Sequence, residues 1–187
     1  MGSSSILELD ISLKNIWRSW FRFRHGKRAT REITLFEYYL ERELPQLYQE
    51  LLSGAYRHGP YRHFVVTDNK RRGISVAGVR DRVVHRLLYD YLVKIYNHTF
   101  SYDAWSCRKS KGVIGAIERA EQYIRSHPRA VVWRMDITKF FDSVQQRTLS
   151  SLLTRRVKDQ KALSLLEEVL ASYHFLGQRE RERERVR

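Results

Sequence analysis

Apolar residues recur at helical spacing through the first part of the chain. From Ser12, one face of a helix is predicted to carry Leu13, Ile16, Trp17, Trp20 and Phe21. Gly26 is expected to end this helix. A second helical region is predicted over about residues 34–53, where Pro45 either kinks one helix or begins another, and Gly54 fits the stop.

Two short stretches with strand character follow these helices. YRHFVVT at Tyr61–Thr67 and ISV at Ile74–Val76 are rich in β-branched and aromatic residues. The intervening DNKRRG has the composition of a turn. We therefore predict a β-hairpin with a basic tip.

The second half combines helical periodicity with one segment of alternating pattern. Helices are predicted over about Val79–Phe100, Val113–Ser126, 145–157 and 159–175. In Val131–Asp136 the alternation predicts a strand that turns Val131, Trp133 and Met135 towards a core and leaves Asp136 at its carboxyl end. Helices mixed with a hairpin and a strand indicate an α+β fold.

The balance of charge indicates a polyanionic partner. The 187 residues include 35 Lys and Arg against 21 Asp and Glu, a formal net charge of +14. For a folded chain, such an excess favours nucleic acid over a merely soluble basic protein. The single cysteine, Cys107, excludes an internal disulfide, and no apolar run is long enough to cross a membrane. We expect a cytoplasmic protein with no membrane partner.

Asp136 is the first candidate for chemistry. A carboxylate at the end of a strand can hold Mg²⁺, which prefers oxygen ligands and leaves room for substrate phosphates. Two-metal phosphoryl transfer needs further acidic ligands from elsewhere in the fold. The alternative is that Asp136 caps a turn and Asp142 caps the following helix.

Three motifs in order resemble the reverse transcriptases of bacterial retroelements, most closely the diversity-generating retroelement and group II intron-like enzymes. They are RRGISVAGVRDRVVHRLLYDYL, SYDAWSCRKSKG and DITKFFDSV, within a resemblance that covers about Leu13 to Phe175. The resemblance implies an α+β fold with mostly helical fingers, a β-hairpin and the first part of a right-hand polymerase palm, which is incomplete. It implies fingers over residues 1–130 and the start of the palm over 131–176, and the composition of residues 177–187 predicts a charged tail.

The resemblance also implies roles for individual residues. Asp136 would bind catalytic Mg²⁺ together with the backbone carbonyl of Ile137, and Phe141 would exclude the 2′-hydroxyl of an incoming sugar. Lys70 and Arg72 on the hairpin would contact the triphosphate. The expected contacts with RNA template and DNA primer are Arg80, Arg82, Arg108, Lys109 and Lys111, the first two serving mainly structure.

One departure from the family limits the expected activity. These polymerases carry a later hairpin with two adjacent aspartates, and no two aspartates are adjacent here. We therefore expect the N-terminal portion of an RNA-directed DNA polymerase that is inactive alone, in which the complete enzyme uses deoxynucleoside triphosphates. The alternatives are a non-catalytic RNA-binding or defence-associated module, and a domain whose basic face binds an accessory protein.

Overall fold

The computed structural model describes residues 6–68, 71–138 and 140–173. Its elements in chain order are α1 (Leu13–Arg24), α2 (Arg31–Tyr38), α3 (Leu40–Ser53), β1 (Arg62–Thr67), β2 (Arg71–Val76), α4 (Val79–Tyr96), a 3₁₀ turn (Asn97–Thr99), α5 (Val113–Ser126), α6 (Phe140–Ser143), α7 (Gln146–Arg156) and α8 (Gln160–Ser172). The predicted α+β class is confirmed. The predicted charged tail at 177–187 lies outside the described residues.

The chain forms two compact units. Of the described residues, the first unit contains those up to Tyr91 and those from Val144 to Tyr173, and the second contains Leu92–Ser143. The boundary expected at residue 130 between fingers and palm stays a prediction. Among the described residues, no helix has the length and apolar content that a bilayer crossing requires.

The core of the first unit lies where α1, α3 and α4 turn their apolar faces inward. Ser12 begins α1, because its hydroxyl accepts a hydrogen bond from the backbone N–H of Asn15. The Trp20 ring lies 5.1 Å from the ring of Phe36 on α2. The most deeply buried side chains of this core include Ile16, Trp20, Leu44, Leu47, Val83, Val84 and Leu87.

The inward face of α1 differs from the predicted one. Its buried residues are Ile16, Ser19, Trp20 and Phe23, whereas Trp17 is half-buried and Phe21 is 60% exposed. Positions 16, 20 and 23 form one narrow helical strip, and positions 17 and 21 lie about 100° further round the helix. The predicted single apolar face is therefore divided, because Ile16 and Trp20 pack in the core and Phe21 faces solvent.

Between residues 31 and 53 the helix breaks at Tyr39 and not at Pro45. Pro45 lies inside α3, so of the two predicted alternatives the one in which it begins a helix is excluded. The helix ends as predicted, since Gly54 adopts the left-handed conformation with φ of 72°.

The predicted hairpin is confirmed. β1 and β2 pair antiparallel, with Val66 opposite Arg72 and Thr67 opposite Arg71. Asp68 ends the described part of the first arm, and Lys70, predicted to bind the triphosphate, lies outside the described residues.

The predicted strand at Val131–Asp136 is absent. The segment has no regular structure, and Val131 and Trp133 are 93% and 80% exposed. A strand needs a neighbouring strand to pair its backbone N–H and C=O groups. In the described ranges the one sheet is β1 with β2, so residues 131–136 have no strand to pair with. The helix predicted at Val113–Ser126 is present as α5, but its Ile114, Ile117 and Ile124 are exposed.

A buried carboxylate lies in the first turn of α4. Asp81 is only 4% exposed and accepts hydrogen bonds from the Tyr56 hydroxyl at 2.8 Å and the Gly59 N–H at 3.3 Å. Burial, followed by the bond to Asp81, raises the pKa of Tyr56, so this hydroxyl remains a donor. A Cβ at Gly59 or Gly78 would lie 3.0 or 3.3 Å from Asp81 Oδ2. Small residues therefore make room for this contact on both sides.

A histidine pair joins the same loop to α4 and α8. The His58 N–H donates to Glu168 Oε1 at 2.8 Å, and His58 Nε2 lies 3.0 Å from His85 Nε2. His58 Nδ1 lies 2.6 Å from the carbonyl oxygen of Gly59, which can only accept. His58 therefore carries its proton on Nδ1 and accepts from His85 through Nε2.

We expect Asp81→Ala to destabilise the protein because it leaves the buried Tyr56 hydroxyl without its acceptor. The free energy of unfolding should fall by about 1–3 kcal/mol in urea denaturation. Asp68→Ala is the matched control, since Asp68 is exposed at the end of β1 and should change stability by less than about 0.5 kcal/mol. Equal effects of the two substitutions would contradict a structural role for the buried carboxylate.

We expect the His85 side chain to make stability fall in acid. Burial, followed by the neighbouring His58, lowers the pKa of His85 below its ordinary 6.5. The unfolded chain then binds the extra proton first, so this contribution is complete above pH 6.5 and is lost as pH falls below it. Urea denaturation between pH 7.5 and 5.5 should show a shallower pH dependence in His85→Gln than in wild type. His98→Gln, which removes an exposed imidazole, is the control; an unchanged slope in His85→Gln would refute the assignment.

Candidate nucleotide and nucleic-acid site

Asp136 lies on the exposed, irregular segment of the second unit. Its Oδ1 accepts a hydrogen bond from the adjacent Ile137 N–H at 3.0 Å, and its side chain is exposed. Among the described residues it forms no ion pair. The contact with Ile137 is local, and no partner of Oδ2 is found in the part of the chain that the structure describes.

The described residues do not by themselves fit a magnesium ion. They contain no group of three or more His, Cys, Asp or Glu side chains placed to hold a metal. Asp136 and the carbonyl of Ile137 offer two oxygens at most, and Mg²⁺ in proteins takes six. Any such ion would need further ligands from outside the described residues.

Phe141 lies on α6 of the second unit, and Arg72 lies on β2 of the first unit. The backbone of Phe141 belongs to α6, five residues after Asp136 in the sequence, but its side chain lies outside the described part of the structure. Arg72 lies on β2 opposite Val66 and is exposed. No ion pair engages its guanidinium among the described residues, so it can contact a phosphate.

Arg80 and Arg82 are held by carboxylates inside the first unit. Arg80 pairs with Glu50 and lies 5.2 Å over the Tyr56 ring, and burial lowers its pKa. Arg82 pairs with Glu32 at 3.2 Å. Both side chains are about three-quarters covered. Their structural role is evident, and contact with a template remains a prediction.

Arg108 organises the basic loop between the 3₁₀ turn and α5. Its guanidinium donates to Asn97 Oδ1 and to the carbonyl oxygens of Asn97, Ser101 and Ala104 at 2.8–3.3 Å. Four acceptors occupy the group that was predicted to contact the template or primer. The loop also holds Cys107 and Ser110 at φ of 56° and 59°, a conformation that such residues adopt only where the surroundings impose it.

The other two cations of this loop, Lys111 and Lys109, differ in whether the protein itself engages their charge. Lys111 Nζ donates to the Tyr102 carbonyl oxygen at 2.7 Å and lies 3.5 and 4.0 Å from the ring centres of Tyr102 and Trp105. Lys109 is exposed and has no partner among the described residues. Of the three cations predicted in this loop, Lys109 is the one whose charge is most available to a phosphate.

Two features of the second unit were missed by sequence reasoning. Trp105 packs directly on Gly115 of α5, where a Cβ would lie 2.7 Å from the indole ring. Asp103 accepts from Tyr123 at 2.8 Å and from Arg119 at 3.0 Å, contacts that lower the pKa of Asp103 in that order. Trp105 and Arg119 line an open groove of about 580 Å³. A glycine in a helical pattern was the available signal for the first feature.

Comparison with known proteins gives distant relatives. No family model matches the chain. It is 27% identical over 148 residues to protein YkfC of Escherichia coli K12, covering 76% of this chain and 39% of that protein. It is 26% identical over 129 residues to a COX1/OXI3 intron 2 protein of Saccharomyces cerevisiae, covering 68% of this chain and 15% of that protein. The chain thus spans less than half the length of these curated relatives.

We expect Gly115→Ala to destabilise the second unit because the added methyl group displaces Trp105. The clash should cost about 1–3 kcal/mol, partly offset by up to about 1 kcal/mol from the better helix propensity of Ala. In a Trp105→Ala background the clash is gone, so the same substitution should stabilise. Urea denaturation of the four proteins in this cycle measures the change of sign.

Gly112→Ala is the matched control for this cycle. A Cβ at Gly112 meets nothing within 4 Å, and its φ of −170° is open to any residue. The same effect of Gly115→Ala in both backgrounds would contradict the packing account.

Proposed function

We propose that this chain is the N-terminal part of an RNA-directed DNA polymerase, carrying the fingers and the beginning of the palm. The observation that carries the proposal is the Asp136 carboxylate, which is exposed, forms no ion pair among the described residues and follows an apolar segment without regular structure. It stands in the third of three motifs that occur in the order of the retroelement enzymes. The yeast relative is named as an intron protein, which accords with the group II intron-like resemblance.

In this proposal some residues contact the incoming nucleotide and others bind the metal ion. Arg72 neutralises the triphosphate, and Phe141 leaves no room for a 2′-hydroxyl, so that deoxynucleotides are selected. Asp136 and the Ile137 carbonyl supply part of a Mg²⁺ site, with the remaining ligands outside the described residues. The bound ion would stabilise the charge of the phosphates. No reaction step is assigned to the residues of this chain alone.

The template contact is proposed to rest on exposed cations. Lys109 is available for a phosphate, whereas Arg108 and Lys111 shape the loop that presents it. Arg80 and Arg82 keep α4 in place through Glu50 and Glu32. This assignment leaves fewer residues for the template than the resemblance alone implies.

A non-catalytic RNA-binding module is the second candidate. The observation that favours it is that no metal-holding cluster exists among the described residues. Such a module would bind RNA with an affinity that falls with salt, in proportion to the phosphates neutralised. It would show no metal-dependent chemistry.

We expect Asp136→Asn to abolish templated synthesis. The test uses the whole product of the gene that carries this chain, with an RNA template, an annealed DNA primer, deoxynucleoside triphosphates and Mg²⁺. Primer extension should fall by about 100-fold or more, as when one preorganised electrostatic interaction is removed from an active site. RNA affinity should stay within about twofold, because Asn keeps the size of the side chain and every cation that binds phosphate is retained.

Glu118→Gln is the matched control, since it also removes one exposed carboxylate from the second unit. It should leave extension unchanged. Full extension by Asp136→Asn would end the metal assignment. RNA binding without extension by the wild-type protein would favour the binding module.

A further inference from the structure

The solvent side of α1 carries aromatic and basic residues in one strip. This strip, the α1 outer face, consists of Lys14, Trp17, Arg18, Phe21, Arg22 and His25, and it borders a shallow groove of about 470 Å³. Steps of three and four residues place all six along one side of the helix. The rings of Trp17 and Phe21 lie at its centre, 6.0 Å apart and tilted by 32°.

These rings are not needed for the core. α1 already buries Ile16, Trp20 and Phe23 on its other side, and the core closes around Trp20 and Phe36. Phe21 remains 60% exposed. A large exposed ring in contact with a second ring that is only half-buried, as Phe21 is with Trp17, is unusual on a surface that has no partner.

The charge around the rings has one sign. From Leu13 to Arg31 the sequence contains no acidic residue. Carboxylates from elsewhere in the first unit engage two of the cations, as Arg22 pairs with Asp90 and Arg24 with Glu37. The cations of this region without an ion pair among the described residues are Lys14, Arg18, Lys27, Arg28 and Arg31.

We infer that the α1 outer face, with the basic loop that follows it, binds single-stranded nucleic acid. Unpaired bases stack on exposed aromatic rings, and their phosphates attract flanking cations. The strip from Lys14 to His25 spans about 16 Å at 1.5 Å per residue, enough for a few nucleotides. In a duplex the bases are already stacked on each other, so the rings favour single strands.

A membrane surface is the competing occupant, and the structure disfavours it. A helix that lies on a bilayer inserts a wide apolar face between the lipids. In α1 that wide face is buried in the protein, and the solvent side carries only the half-buried Trp17 ring and the exposed Phe21 ring. The residues of this strip differ from those that the polymerase proposal assigns to template or nucleotide, and their binding to a single strand does not depend on polymerisation.

The test measures binding of the full chain to fluorescein-labelled 12-nucleotide oligo(U) and oligo(dT) by anisotropy. The double substitution Trp17→Ala with Phe21→Ala should weaken binding about 10- to 100-fold, the loss expected when stacked bases lose their rings. Trp17→Phe keeps an aromatic ring and should retain most of the affinity. Arg18→Gln with Arg28→Gln should flatten the log–log salt dependence by about 0.7 for each phosphate that is no longer neutralised.

The matched control is Leu35→Ala with Tyr38→Ala on α2. It also removes two large exposed side chains from the first unit, which are 58% and 79% exposed, and should leave binding unchanged. Circular dichroism establishes that each variant is folded. The two oligonucleotides separate an RNA ligand from a DNA ligand.

Three results would overturn the inference. The first is equal binding by the ring variant and the control variant. The second is tighter binding of a 12-base-pair duplex than of either single strand. The third is ring-dependent binding to phosphatidylserine vesicles without binding to the oligonucleotides, which would assign the strip to a membrane surface.

Discussion

The buried Asp81 carboxylate is the constraint on which the first unit depends. A charged group removed from water needs donors around it, and these come from Tyr56 and the Gly59 N–H. Gly59 precedes β1 and Gly78 follows β2, so both stems of the hairpin pass beside the same carboxylate. The position at which the hairpin leaves the helices is therefore set by a contact that only small residues permit.

The loop before β1 also connects α8 to α4 through His58. Glu168 on α8 accepts from the His58 N–H, and His58 in turn meets His85 on α4. This explains why residues from Val144 onward belong to the first unit although Leu92–Ser143 forms a unit of its own. The three motifs of the resemblance are consequently spread over both units, with Arg72 in the first and the basic loop and Asp136 in the second.

Local sequence patterns predicted where helices and strands form better than they predicted what those elements pack against. The helices and the hairpin depend on residues close in sequence, so periodicity, caps and turn residues were enough to find them. The strand at Val131–Asp136 depended on a neighbouring strand, which no local pattern can supply. The strip of α1 that faces the core was misjudged for a related reason, since Trp17 and Trp20 are equally apolar and only tertiary packing chooses between them.

The candidate cations also show that sequence patterns do not reveal tertiary partners. Sequence reasoning identified Arg80, Arg82, Arg108 and Lys111 by type and position, but their partners lie at other positions and were invisible to it. The structure engages all four internally, through Glu50, Glu32, loop carbonyls and aromatic rings. A net charge of +14 therefore overstates the charge available to a ligand. What remains for phosphates is concentrated at exposed sites such as Arg72, Lys109 and the loop after α1.

That excess of cations makes the state of Asp136 informative. With 35 Lys and Arg in the chain, an exposed aspartate would readily gain stability from a guanidinium or ammonium neighbour. Other carboxylates in the described residues, including those of Glu32, Glu50 and Asp103, have such partners. Among the described residues, the one hydrogen bond of Asp136 is to the next backbone N–H, that of Ile137. A carboxylate that forms no ion pair among the described residues can take an external cation, and this is the physical reason to centre the proposed chemistry on it.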